Sequence, residues 1–275
     1  MTYLDPAQLA SPRPGPALAL RGVSLTFGGV HALEDVDFEV SLHEVVALVG
    51  ENAAGKSTLA KVLSGVYRPT AGVIVSDGVE VTIPSPSHAT RLGIATVFQE
   101  QVLANNLDVA SNMFLGHELN SKFVLHTEEM ETAAAEVLEE IGARIPSVRY
   151  PVAHLSAGQR QSVAIARALL ARPRIVILDE PTSSLSVTQT ADILDLIVKM
   201  RSLGHGIILI SHNLADVQAV ADRVVVMRHG RVVGQAPMSQ VTYEDIIAAI
   251  TGATRTFPPQ ETPRASRVVG ASAGE

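Results

Sequence analysis

The chain has 275 residues, 47% of them hydrophobic, and a formal net charge of −7. That is enough for one large domain, or for a core domain with a small subdomain, and the acidic balance argues against a broad nucleic-acid surface. Without a cysteine there are no disulfides, thiolate zinc sites or cysteine nucleophile, and no apolar run reaches the ~18 residues of a membrane-spanning helix.

The first residues, MTYLDPAQLASPRPGPALAL, lack a basic stretch followed by a sustained apolar run, so they do not read as a secretory signal. Residues 1–17, rich in Pro, Ala and Ser, are expected to form a disordered tail, and residues 255–275 share that character. Val36 to Val40 alternates apolar and polar side chains, as a half-buried antiparallel strand does. Val45 to Val49 is continuously apolar, which suits a parallel strand covered on both faces.

Directly after it comes GENAAGKST, Gly50 to Thr58, which fits the phosphate-loop pattern GxxxxGK(S/T). Leu59, Val62, Leu63 and Val66 then recur at helical spacing. A strand-loop-helix unit of this kind aims backbone N–H groups and a helix N-terminus at bound phosphate. Lys56 is placed to reach the β- and γ-phosphates, and Ser57 to give its hydroxyl to Mg²⁺. Ala53 stands where many such loops carry glycine. A positive φ there would cost about 1–2 kcal/mol; a negative φ would cost nothing and stiffen the loop slightly.

Met130, Ala134, Val137, Leu138 and Ile141 form a helical stripe with Gly142 as its stop. The opposite face, with Glu128, Glu129, Glu131, Glu139 and Glu140, reads as solvated. Ser156 and Gln159 have the S-x-x-E/Q spacing of a capping box ahead of a helix from about Arg160 to Ala171. Ile175 to Leu178 is a second buried strand, and it ends in Asp179 and Glu180. Two acids at the carboxyl edge of a parallel sheet lie where ligands bind in such folds. Asp179 suits Mg²⁺, and Glu180 suits orienting or deprotonating an attacking water. Ile193, Leu196, Ile197 and Met200 repeat the helical spacing, Ile207 to Ile210 is a third buried strand, and Arg228 to Arg231 reads as a hairpin turn. The order predicts an α/β core with an N-terminal antiparallel β part and an inserted helical region over about residues 100–170.

Together these residues resemble the nucleotide-binding cassette of ABC transporter ATPases, a P-loop NTPase fold, over residues 18–254. GENAAGKST matches Walker A, LSAGQ the signature and IVILDEP Walker B. Phe27, in LTFGG, is similar to the aromatic that stacks on adenine. Gln99, in VFQE, resembles the glutamine that contacts Mg²⁺ and the attacking water. His212, in LISHN, resembles the switch histidine at the γ-phosphate, and Ser183 to Ser186 take the place of the D-loop.

The resemblance implies ATP and Mg²⁺ as cofactors. It implies nucleotide binding by Phe27, by Gly50, Glu51, Asn52, Ala53, Ala54, Gly55, Lys56, Ser57 and Thr58, and by Ser156, Ala157, Gly158 and Gln159. Ser57, Gln99 and Asp179 would hold the metal, and Glu180, His212 and Gln99 would carry catalysis. It also implies a second cassette, most simply an identical copy, because ATP is sandwiched between the Walker A of one and the signature of the other. Separate membrane permease subunits, an indirectly coupled solute-binding protein and a place at the cytoplasmic face of the membrane would follow, with no nucleic acid involved.

The wording of GEN, LSGVYRP, FQEQVLANNLDVASNMFLG, SHNLADV and RHGRVVG resembles the ATPases of carbohydrate importers, monosaccharide importers above all. Many of that group carry two cassettes in one chain, whereas this sequence holds one. Ala53, Ala157 and Ser186 depart from the usual glycine, glycine and aspartate. A nucleotide-binding regulatory subunit and a soluble, non-transport ABC ATPase are the alternatives.

Overall fold

The computed structural model describes residues 15–99, 102–121, 124–253 and 257. Most of both expected tails, and Glu100 and Gln101 of the FQEQ stretch, lie outside the described residues. Ala17 and Phe257, which fall within those tails, are buried.

Two sheets organise the chain. An antiparallel sheet holds β1 (Leu18–Phe27), β2 (Val30–Val40), β4 (Ala71–Ser76) and β5 (Val79–Val81), in the order β2-β1-β4-β5. The main sheet holds β3 (Val45–Gly50), β6 (Ile94–Val97), β9 (Ile175–Asp179), β10 (Gly206–Ile210), β11 (Arg223–Arg228) and β12 (Arg231–Pro237). Its order is β12-β11-β3-β10-β9-β6, parallel except for the β11–β12 hairpin. Helices α1 (Lys56–Leu63), α2 (Pro86–Arg91), α6 (Val187–Ser202), α7 (Leu214–Val220) and α8 (Tyr243–Thr251) connect and cover these strands. Between β6 and β9 lies the inserted region: α3 (Val109–Phe114), a short hairpin of β7 (Asn120–Ser121) and β8 (Val124–Leu125), α4 (Thr127–Glu140) and α5 (Ala157–Leu169).

The continuous apolar runs follow from burial on both faces. In β9, Ile175 and Ile177 join the core beneath the antiparallel sheet and α1, while Val176 and Leu178 join the core beneath α3–α6. Each fully buried side chain of this size contributes about 1.5–3 kcal/mol. Val36 to Val40 alternates as expected because β2 presents one face to the core and the other outward.

The register decides where chemistry can occur. Ile210 pairs with both Leu48 and Asp179, Met227 with Gly50 and Val97 with Leu178. The carboxyl ends of β3, β6, β9 and β10 therefore meet along one edge of the sheet.

Several local expectations hold and several need correction. Helix α4 ends in a Schellman motif: Gly142 has φ 74°, its N–H reaches Glu139 O at 2.9 Å, and Ala143 N–H reaches Leu138 O at 2.8 Å. The β11–β12 turn has positive φ at both His229 and Gly230, the two-residue hairpin geometry that matches strand twist. Val66, by contrast, is exposed, because α1 stops at Leu63 with Ser64 as its cap. Helix α5 starts at Ala157 rather than near Arg160, since the cap sets the start and not the first apolar residue. On α4, Glu131 is not simply solvated: it accepts from Arg149 Nε at 2.8 Å.

Candidate nucleotide site

The phosphate loop leaves the end of β3 and enters α1. A side chain at Gly50 would collide with the carbonyl oxygen of Met227 on the neighbouring strand, so only glycine lets the loop leave the sheet here. The N–H of Ala54 closes a turn on Glu51 O at 3.1 Å. Ala53 is the third residue of that turn, and its φ is 64°. A four-residue turn with positive φ at this position ordinarily takes glycine or asparagine, which explains why a glycine is common there. Gly230 N–H, in the β11–β12 turn, binds Ala54 O at 3.0 Å and braces the loop from the side.

Helix α1 begins at Lys56, and its N-cap, Gly55, supplies no side-chain cap. The amides of its first turn thus have no acceptor within the helix and are available to an anion. Lys56 is 8% exposed, and its ammonium donates to Gly50 O at 2.8 Å and Glu51 O at 2.9 Å. Burial holds Lys56 below the usual lysine range, while the carboxylates of Glu180 and Asp179 pull the other way. Glu51, Asn52, Ala53 and Ser57 are exposed, Thr58 is half-buried, and Ala54 and Gly55 are buried.

Asp179 ends β9 and is 7% exposed. Its carboxyl is held above the ordinary carboxylate range, first by burial and then by Glu180, although Ser57 hydrogen-bonds to it and Lys56 opposes the shift. Among the described residues no group of three or more His, Asp or Glu is placed to hold a metal. One buried carboxylate beside one serine hydroxyl suits Mg²⁺, which keeps waters and takes further ligands from substrate phosphates.

Glu180 follows at φ 51°, held by its own N–H to Ile210 O at 2.9 Å. Its Oε2 lies 2.7 Å from His212 Nδ1. Strands β9 and β10 are neighbours in the sheet, so two residues 32 positions apart in sequence meet at its edge. Gln99 is exposed, two residues beyond the end of β6, the strand beside β9.

Phe27, 45% exposed, meets Tyr67 edge-on at 5.0 Å, and Lys61 Nζ lies 5.7 Å from the Tyr67 ring centroid. Sequence reading passes over Tyr67, because an aromatic in a loop has no periodic signal; its only signal is its place in LSGVYRP.

The signature residues lie at the start of α5. Ser156 Oγ accepts from Gln159 N–H at 3.2 Å, and Gln159 Oε1 accepts from Ser156 N–H at 3.0 Å, a complete capping box. Gln159 Nε2 donates to Arg144 O at 3.2 Å, so its amide is engaged within the helical region. Ser156 and Ala157 are exposed, and Gly158 is buried. A side chain at Gly158 would come within 2.9 Å of Gln189 Cβ, so glycine lets α5 and α6 approach closely. Gln189 completes a second capping box, with Ser186. Among the described residues, no hydrogen bond or ion pair joins Ser156–Gln159 to Gly50–Thr58. The structure brings Lys56, Ser57, Asp179, Glu180 and His212 together and leaves the signature as a separate, outward-facing helix start.

Comparison with known proteins agrees with this geometry. The ABC transporter family profile matches residues 33–183. The chain is 37% identical over 234 residues to the xylose/arabinose import ATP-binding protein XylG of Sulfolobus acidocaldarius, covering 85% of this chain and 93% of that protein. It is 45% identical over 220 residues to the ribose import ATP-binding protein RbsA 1 of Rubrobacter xylanophilus, covering 80% of this chain but only 44% of that one. The chain thus spans nearly all of the first relative and about half the length of ribose relatives of that kind. Among solved structures it superposes on cbiO1 of Clostridium perfringens, part of the ABC transporter complex cbiONQ, with a TM-score of 0.73 and 30% identity, covering 84% of this chain and 92% of that one. It also superposes on an ATP-binding cassette solved as a dimer in a post-hydrolysis state with ADP and Pi, with a TM-score of 0.67 and 25% identity, covering 80% of this chain and 98% of that one. An α/β fold with a phosphate loop leaving β3, two acids at the end of β9 and a separate signature helix, together with the family match over residues 33–183 and a relative 37% identical over 85% of the chain, means that the chain belongs to the ABC transporter family as one of its ATPase cassettes.

Proposed function

We propose that the chain hydrolyses MgATP to drive import of a sugar, a monosaccharide by the wording of its relatives, through separate membrane subunits. The observation that carries this reading is the 2.7 Å contact between Glu180 and His212 at the strand edge that also holds Asp179, Ser57 and Lys56. In this reading the first-turn amides of α1 and the Lys56 ammonium hold the phosphates, Phe27 stacks on the base, and Tyr67 fixes the Phe27 ring from its edge. Ser57 and Asp179, with Gln99, hold Mg²⁺, which when bound neutralises charge on the phosphate oxygens. Glu180 accepts a proton from the attacking water or orients it, and His212 keeps that carboxylate aligned and reaches the γ-phosphate.

The second half of the site comes from a second cassette, most simply an identical copy. Ser156 fits that role chemically: its oxygen caps α5 while its hydroxyl proton remains free to donate to a phosphate on the facing cassette. Ala157 offers its N–H as glycine would. No described helix is long and apolar enough to cross a membrane. In this reading, coupling runs through permease subunits at the cytoplasmic face, with a solute-binding protein acting indirectly. Nucleic acid has no place in this reading.

Glu180→Gln decides the central role. It should bind ATP with near-normal affinity while turnover falls by about a hundredfold or more, read by nucleotide binding and phosphate release in parallel. Full turnover in Glu180→Gln would remove Glu180 from catalysis.

A further inference from the structure

Glu180 and His212 touch directly, through their side chains at 2.7 Å and through His212 N–H to Glu180 Oε2 at 3.4 Å. Glu180 stands at a positive φ, and the His212 side chain is 67% exposed. Each sits in a turn leaving the sheet, and one buried side chain reaches both turns. Asp216, in the first turn of α7, is 6% exposed. Its Oδ2 accepts from Thr182 Oγ1–H at 2.6 Å, two residues past Glu180. Its Oδ1 accepts from Asn213 Nδ2–H at 3.0 Å, one residue past His212.

The orientation of Asn213 is fixed independently. Its Oδ1 accepts from Ala215 N–H at 3.0 Å as the α7 cap, so its amide nitrogen must face Asp216. Its own N–H donates to Ser211 Oγ at 3.0 Å. On the other side, Ser183 Oγ–H donates to Glu180 O at 2.9 Å, closing the turn that carries Thr182. The other buried side chains of α7 are Leu214, Val217 and Val220, so Asp216 is the one charged member of that buried set. A buried carboxylate is costly unless its oxygens are satisfied. Here each oxygen is satisfied by a different turn, and the start of α7 favours the negative charge.

We infer that Asp216 is a positioning residue that sets the separation of Glu180 from His212 by tying together the two turns that carry them. This rests on the reading that Glu180 and His212 act at the γ-phosphate. Glu180 N–H still binds Ile210 O and His212 N–H still faces Glu180 Oε2, but losing the tie removes a buried side-chain link between the turns and loosens their spacing; a displacement of about 1 Å in a catalytic pair can cost about a hundredfold in rate.

The test uses the full chain and MgATP. In Asp216→Ala and in Thr182→Val, kcat should fall by about tenfold or more while KM for ATP stays within about twofold. Thr182→Ser, which keeps the hydroxyl, should recover most of the rate lost in Thr182→Val. In a His212→Ala background, single-turnover rates should show little further loss from Asp216→Ala, because the pair to be aligned is gone. An unchanged kcat in both Asp216→Ala and Thr182→Val, or losses that simply multiply in the His212→Ala background, would overturn the inference. If Asp216→Ala does not fold, the Thr182 pair carries the same test. Glu180→Gln separates the two levels. Retained turnover there defeats the functional reading and this one together; lost turnover there, with normal kcat in Thr182→Val, defeats only the role of Asp216.

Discussion

Two residues of the site work against the stability of the fold. Ala53 occupies a left-handed backbone position, at φ 64°, where an L side chain costs about 1–2 kcal/mol. Glycine would relieve that strain but would lose more chain entropy on folding, by about 0.5–1 kcal/mol. The net gain for Ala53→Gly is therefore between zero and about 1.5 kcal/mol, a rise of up to about 6 °C in Tm for a domain of this size, measured without nucleotide. A lower Tm would mean that the turn tolerates alanine freely. A large rise in turnover in the same variant would point instead to the regulatory-subunit alternative. Asp179 is the second case. Burial raises its carboxyl pKa in the folded chain, so its contribution is fully favourable only below the ordinary carboxylate range and is lost as pH rises through the raised folded value. Asp179→Asn removes that charge. It should melt above the wild type at pH 7 without nucleotide, and the difference should shrink towards zero below about pH 4. It should also lose the stabilisation that MgATP gives the wild type. A difference that grows on acidification would contradict the assigned cause.

At the scale of elements, sequence reading succeeded where a local rule determines structure. β3, β9 and β10 were legible because burial on both faces requires an unbroken apolar run. The end of α4 was legible because a left-handed C-terminal residue selects glycine, and the cap of α5 because a capping box has a fixed spacing, although the helix itself starts at Ala157, ahead of the expected Arg160. Lys56, Asp179 and Glu180 stand out in sequence because each belongs to a motif written in contiguous residues, and His212 stands out only through the family resemblance; the structure brings the four to one edge of the sheet. What stayed hidden depends on which strands become neighbours. Thr182 and Asp216 lie 34 positions apart, and neither carries a pattern until β9 and β10 pair. Gly230 braces the phosphate loop through Ala54 only because β11 lies beside β3. Tyr67 gains meaning only when it meets Phe27. Val66 was misplaced because helical spacing continued past the residue at which the helix stops.

At the scale of the molecule, the sequence holds one phosphate loop and one signature helix start, and the structure holds them apart. If ATP is enclosed between copies, each site borrows Ser156 from the facing chain, and complementation between damaged copies becomes possible. A copy with Lys56→Ala cannot grip phosphate but still presents an intact signature. A copy with Ser156→Arg keeps its phosphate loop, while its bulky charged side chain blocks the facing site. Neither should hydrolyse ATP alone as a symmetric pair. Mixed in equal amounts, half of the dimers combine one of each and contain one intact site, so activity should return to about a quarter of wild type at most. At constant total protein, varying the ratio of the two inactive copies should trace a rise and then a fall, peaking at equal amounts. If each chain instead completed its own site, the mixture would stay inactive at every ratio, and the signature of the facing copy would have no part in hydrolysis.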